Sequence, residues 1–193
     1  MPTPIPTLTT PRLTLIALGL ADCADYERHF IDYEVIRHLA CDVPWPYPAG
    51  GAATFIRDRI LPGQGQDRWT WGLHRRDVPG LIGAVDLWRE GRPEHRGFWL
   101  GRQFWGQGLM TEAVIRITDY AFDILEFEEL LFSNALGNER SHNIKERTGA
   151  ELIDVRPGSF VDPAYDRKEI WRLTRDKWRR WKAAHELRPS EIA

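Results

Sequence analysis

Cysteine is nearly absent from this chain. Cys23 and Cys41 are the only two among 193 residues, and they stand in no metal-ligand or redox spacing. A disulfide scaffold, a zinc ribbon and a CxxC redox centre are thereby excluded, and the composition fits a reducing, cytoplasmic setting. No apolar run approaches the length of a membrane span, so no membrane partner is expected. The opening Met1-Pro-Thr-Pro-Ile-Pro lacks the basic and apolar segments of a secretory leader. The six histidines are scattered without ligand spacing, so no metal is expected.

What is present is ordinary for one soluble domain: 42% hydrophobic and 28% charged residues, with a net charge of −2. The charge is uneven. Residues 167–188 hold nine Lys/Arg against three Asp/Glu, which is +6, and the remainder carries −8 by subtraction. A basic stretch in a chain that is not basic overall reads as a solvated helix face, not as a nucleic-acid surface. We expect a single domain over 1–193, with a Pro/Thr-rich lead-in (1–11) and a basic C-terminal helix and tail (174–193).

Periodicity predicts alternating strands and helices. Leu13–Leu18 reads as a strand and Ala21–Leu39 as a helix. A proline-bound loop follows, then a short helix over Ala52–Leu61. Arg68–Arg75 and Leu81–Trp88 read as a hairpin and His95–Leu100 as the fourth strand. The longest helix covers Gly108–Leu125. Glu129–Ala135, Leu152–Val155 and Glu169–Leu173 read as strands, and Glu139–Arg147 and Arg175–His185 as helices. Trp178 and Trp181 in the terminal helix serve packing or a contact in a homodimer.

The most informative segment is Phe98-Trp-Leu-Gly-Arg-Gln-Phe-Trp-Gly-Gln-Gly-Leu-Met-Thr-Glu-Ala113. An apolar strand breaks into a glycine-spaced turn that opens into an amphipathic helix. Such a junction gathers unpaired N–H groups at the positive end of a helix dipole and suits a phosphate or pyrophosphate. No Lys follows Gly108, so it is not a Walker turn, and no third glycine completes a dinucleotide fingerprint. An ordinary strand-to-helix turn remains the alternative.

Gln103-x-x-Gly106-x-Gly108 resembles the acyl-CoA pyrophosphate loop of the GNAT superfamily of N-acetyltransferases. Trp105-Gly-Gln-Gly-Leu-Met-Thr-Glu-Ala113 with Asp119-Tyr-Ala-Phe122, and Asn138-Glu-Arg-Ser141 running to Gly149, are similar to signatures of its RimJ/RimL-type (ribosomal-protein N-acetyltransferase) branch. The resemblance implies an α+β fold: a mixed, mostly antiparallel twisted sheet, helices on both faces, and fourth and fifth strands splayed to admit acyl-CoA. It also implies acetyl-CoA as acyl donor, with direct attack by a primary amine. The acceptor would be a small-molecule amine or a protein N-terminus, and the alternative is a catalytically silent acyl-CoA-binding or interaction module.

The resemblance assigns the backbone at Gln103, Gly106, Gln107, Gly108 and Leu109 to the pyrophosphate, with Thr111 as a hydroxyl donor or a helix cap. Phe98, Trp99 and Leu100 would pair with pantetheine, and Asn138 would bond its arm or cap a helix. Ser141 would lie near the thiol as a proton donor, or be a first-turn polar residue. His95 occupies a position where that branch often has Glu, and an imidazole suits a general base; Glu94 and Asp86 are the substitutes. Trp45, Tyr47 and Tyr165 are candidates for the acceptor pocket, and Asn134 would orient substrate or water.

Overall fold

A computed structural model of the chain describes residues 5–91 and 93–186. β1 (Leu8–Thr9), β2 (Leu13–Ala17), β3 (Arg68–Arg75), β4 (Leu81–Trp88) and β5 (Arg96–Leu100) form an antiparallel sheet in that order. Strand alternation sends Trp69, Trp71 and Leu73 of β3, with Val85 and Leu87 of β4, to one face. That face is covered by α4 (Leu109–Asp123), whose Leu109, Ala113, Ile117 and Ala121 recur at helical spacing and are all buried.

The opposite face is covered by α1 (Cys23–Phe30), α2 (Tyr33–Ile36) and α3 (Gly51–Phe55). Tyr26, Phe30, Ile36 and Ala52 close a second apolar cluster there with Leu81, Ala84 and Trp99. Helices thus lie on both faces. The helix expected over 21–39 is broken. Asp32 is extended (φ −133°, ψ 123°) and its carboxylate accepts the Glu34 N–H at 2.9 Å, so it ends one helix and caps the next. The second short helix also departs from α geometry, loosening to a π-turn over Ile56–Ile60 and tightening at Leu61–Gly63, where Pro62 lies.

A second antiparallel sheet has the order β6-β8-β7, from β6 (Glu129–Ala135), β7 (Glu151–Pro157) and β8 (Arg167–Thr174). α5 (Glu139–Arg147) follows β6, and α6 (Arg175–Glu186) follows β8. Trp178 of α6 is buried, donates from Nε1 to Asp119 at 2.9 Å, and stacks on Trp181 at 4.8 Å. Both tryptophans therefore pack within the chain. Lys177 and Lys182 of α6 pair with Glu151 and Asp119, so part of the basic stretch is neutralised locally. Among the described residues no helix is long and apolar enough to cross a membrane.

The feature that shapes the site is the parting of β5 from β6. No ladder joins them among the described residues. They meet where the His95 N–H donates to the Leu131 carbonyl at 2.8 Å and the Leu131 N–H donates to His95 Nδ1 at 2.9 Å. Beyond that point the two sheets diverge.

Candidate active site

One edge of β5 faces the gap. Trp88 N–H donates to the His95 carbonyl and Gly101 N–H to the Ile82 carbonyl, while Asp86 opposes Gly97 and Ala84 opposes Trp99. In an antiparallel ladder this alternation turns the N–H groups of Phe98 and Leu100 away from β4 and toward the gap. The Leu100 carbonyl on that edge already accepts from Trp105 Nε1 at 2.8 Å, which anchors the turn that follows.

Gly106 and Gly108 both have φ of +73°, a region open to glycine at little cost. A Cβ on Gly106 would meet nothing within 4 Å, so its backbone fronts open space. Gly108 is the N-cap of α4, and no side chain caps that helix. Among the described residues no protein acceptor bonds the amides of Leu109, Met110 and Thr111, at the positive end of the helix. Arg12 braces the turn from behind, bonding the Gln107 carbonyl at 2.8 Å and Glu112 at 2.7 Å. Burial alone would raise the Glu112 carboxyl, but bonds from Thr10 and Arg12 bring it below its ordinary value.

A cavity of 1820 Å³ connects this turn, through the gap, to the chamber beneath α1–α3. It exceeds the roughly 300–1,000 Å³ of a single-ligand pocket. Gly106, Gly108, Leu109, Thr111, Phe98, Trp99 and Leu100 line it, as do Asn138 and Ser141. Gln103 and Gln107 are not among its lining residues. The Gln103 carbonyl accepts from Gln107 Nε2, and Gln107 Oε1 accepts from Arg75.

Asn138 caps α5, its Oδ1 accepting the Ser141 N–H at 3.3 Å. Asn138→Ala is expected to cost about 1 kcal/mol, lowering the thermal midpoint by about 2–4 °C in a calorimetric scan. Ser141 is buried, and its Oγ lies 2.7 Å from Lys145 Nζ.

The acceptor-side residues divide. Tyr47 and Asp86 line the chamber with Tyr26, Phe30 and Trp99. Burial, with Glu27 nearby, pushes the Tyr47 phenol up to about 12. Asp86 is held by Arg68 and by the Thr70 hydroxyl at 2.7 Å. Trp45 is outside the lining; it is 42% exposed and leans on Tyr33. Tyr165 is also outside, against His38 and the Arg37 guanidinium.

His95 is not brought to the cavity. Its ring packs on Phe127, its Nδ1 is occupied by Leu131, and burial holds its pKa below the ordinary value, with Glu129 opposing. Glu94 does line the cavity and pairs with Lys168 at 2.8 Å. Burial alone would raise its carboxyl, but the Lys168 bond and charge bring it below its ordinary value.

Sequence reasoning missed a buried polar group at the floor of the gap. Arg96 is 5% exposed, stacks on Phe132 at 3.8 Å and donates to Thr118, while its Nε and Nη2 have no partner among the described residues. Glu169 accepts from Asn134 Nδ2 at 2.8 Å and Trp171 Nε1 at 3.2 Å, and contacts His142. Asn134 thus lines the cavity through an amide already tied to Glu169, with its Oδ1 unpartnered among the described residues. A lone cation in an apolar strand, and a Ser-x-x-x-Lys spacing on one helix, are the signals that would have found Arg96 and Lys145.

A free strand edge, an uncapped helix behind a glycine turn, and one cavity through parted sheets are features of an acetyltransferase fold. The family model described as Acetyltransferase (GNAT) domain matches residues 12–151, and the chain belongs to that family. The Bacillus subtilis (strain 168) protein named "Putative ribosomal N-acetyltransferase YdaF" is 30% identical over 107 residues, 55% of this chain. That match spans 58% of the relative's own length. The "Uncharacterized N-acetyltransferase p20" of Bacillus licheniformis is 30% identical over 129 residues, 64% of this chain and 70% of that one. Among solved structures, Mycobacterium smegmatis RimJ in complex with CoA-disulfide shares the fold, with a TM-score of 0.73 over 90% of this chain and 89% of its own, at 12% identity.

Proposed function

We propose that the chain transfers an acetyl group from acetyl-CoA to a primary amine by direct attack, without a covalent enzyme intermediate. The observation that carries this reading is the single cavity joining an anion-ready turn to an aromatic, carboxylate-bearing chamber through a gap edged by free strand amides. The residues present fit coenzyme A. The amides at Gly106, Gly108 and Leu109 suit its diphosphate. The Phe98 and Leu100 amides suit pantetheine and the thioester oxygen. When bound, acetyl-CoA supplies an activated acyl carbon and a thiolate leaving group.

On the chamber side, Tyr26, Phe30, Tyr47 and Trp99 wall the path of the acceptor. Asp86 and Glu94 attract and orient its ammonium. Glu94 takes the base role that the sequence suggested for His95, because it reaches the cavity and His95 does not. A carboxylate held low by Lys168 is a weak base, so its contribution belongs at the low end of general-base effects, roughly 10²-fold. Glu94→Gln is expected to lower kcat/KM by about that factor, and His95→Gln by less than about threefold. Equal losses in the two variants would return the role to the histidine.

The acceptor is a small-molecule amine or a protein N-terminus. Both arms are tested by incubating the protein with acetyl-CoA and a panel of polyamines, amino sugars, amino acids and N-terminal peptides. Mass spectrometry is expected to find one acceptor class heavier by a single acetyl group. Saturable CoA binding with no acetylated product across the panel would instead make the chain an acyl-CoA-binding module.

A further inference from the structure

Lys145 is the least expected residue in the cavity wall. It sits on α5 one helical turn after Ser141, is 1% exposed, and still lines the cavity. Among the described residues its ammonium has no carboxylate within ion-pair distance. Nζ instead meets Ser141 Oγ at 2.7 Å and the Ser141 carbonyl at 3.4 Å, with the Phe98 ring 5.6 Å away. Burying a lysine without a carboxylate partner costs free energy that packing alone does not return.

We infer that Lys145 supplies, through the Ser141 hydroxyl, the proton that the departing thiol sulfur of coenzyme A takes up. The inference rests on the acyl-transfer reading above and assigns a residue that reading leaves idle. As the C–S bond breaks, its electron pair goes to sulfur. Ser141 O–H gives its proton to that sulfur, and Lys145 N–H refills the serine oxygen, so no serine alkoxide forms. Lys145 is left as a neutral amine. The incoming amine loses its own proton on the Glu94 side, and solvent exchange restores Lys145.

The direction of the shift in Lys145 favours this route. In water a lysine ammonium, near 10.4, is a weaker acid than a thiol near 8.5, so it would hold its proton against a thiolate. Burial, then the charge of Arg96, lower Lys145 well below its ordinary value, and Glu169 opposes them. Among the described residues, Arg96 on β5 and Glu169 on β8 are the charged groups that act on it electrostatically. Lys145 acts through Ser141, so it is a positioning partner that need not touch the substrate.

The test compares wild type with Lys145→Met, Ser141→Ala and the double variant, each first titrated with CoA by calorimetry. All are expected to bind within about threefold of one another. The ultraviolet thiolate band of bound CoA is then followed against pH. With Lys145 the more acidic of the two groups, the band is expected at nearly the same pH in wild type and in Lys145→Met. A band about one pH unit or more lower in wild type would mean that a charged Lys145 holds a thiolate instead of protonating it, and overturns the inference. In turnover with the acceptor identified above, each single variant is expected to lose about 10²-fold in kcat. The double variant should lose no more than either, because the two residues act as a unit. Multiplicative losses, or a change in KM alone, overturn the inference even if acetyl transfer stands. If none of the proteins binds CoA, the acyl-transfer reading itself falls, and the proton route with it.

Discussion

Gly106→Asp is expected to weaken CoA binding about 100-fold, whereas Gly106→Asn weakens it only a few-fold. The glycine has φ of +73° with open space before it. Asn and Asp are the side chains that best tolerate this conformation, so both variants should fold with a similar penalty of about 1 kcal/mol. They have nearly the same shape and differ by one negative charge aimed at the diphosphate. Two like charges about 5 Å apart at an effective dielectric constant near 20 repel by roughly 3 kcal/mol, close to two decades in affinity. Calorimetry with CoA measures the gap, and added salt should narrow it. Equal weakening by Asp and Asn would mean that the turn does not face an anion.

Lys145→Met is expected to make the protein more stable while it slows turnover. Methionine fills a similar volume without a charge to desolvate, and replacing buried ionic groups by apolar ones commonly stabilises by about 1–4 kcal/mol. For a chain of this size that corresponds to a rise of about 2–10 °C in the thermal midpoint. The pH dependence carries the sign. Lys145 has a folded pKa below its unfolded value. At low pH both states are protonated, and the native state bears the cost of the buried ammonium. Between the folded value and about 10.4 the unfolded chain binds more protons, so wild-type stability rises with pH. The advantage of methionine is therefore largest at low pH and shrinks toward the unfolded lysine value. Denaturant titrations of both proteins at several pH values measure it, and a constant or negative difference would contradict the burial argument.

The parts of this site that local sequence could specify were legible. The glycine turn, the helix it opens and the Asn138 cap are set by residues close together in the chain, and the structure puts them on one cavity. His95 was not legible in the same way. Its side-chain direction depends on where β5 touches β6, a contact between residues 36 positions apart. Lys145 lies in Lys-Glu-Arg, which reads as a solvated basic face until α5 is laid over the gap. Arg96 opens a strand and looks like an edge residue, yet the parting of the sheets encloses it against Phe132. The helix over 21–39 failed for a local reason that apolar spacing hides: the Asp32 carboxylate competes for the backbone. β1 lies within the Pro/Thr-rich lead-in, where no strand was expected, and its Leu8 and Thr9 pair with Leu15 and Thr14.

Amide hydrogen exchange with and without saturating CoA tests the central claim most directly, because it reads the backbone groups on which the account depends. Protection is expected at Phe98 and Leu100 on the open edge of β5, and across Gly106–Leu109 at the start of α4. The amides of β7 and α6 should exchange unchanged. Binding that left the Phe98, Leu100 and Gly106–Leu109 amides unprotected would contradict the placement of coenzyme A between the parted sheets.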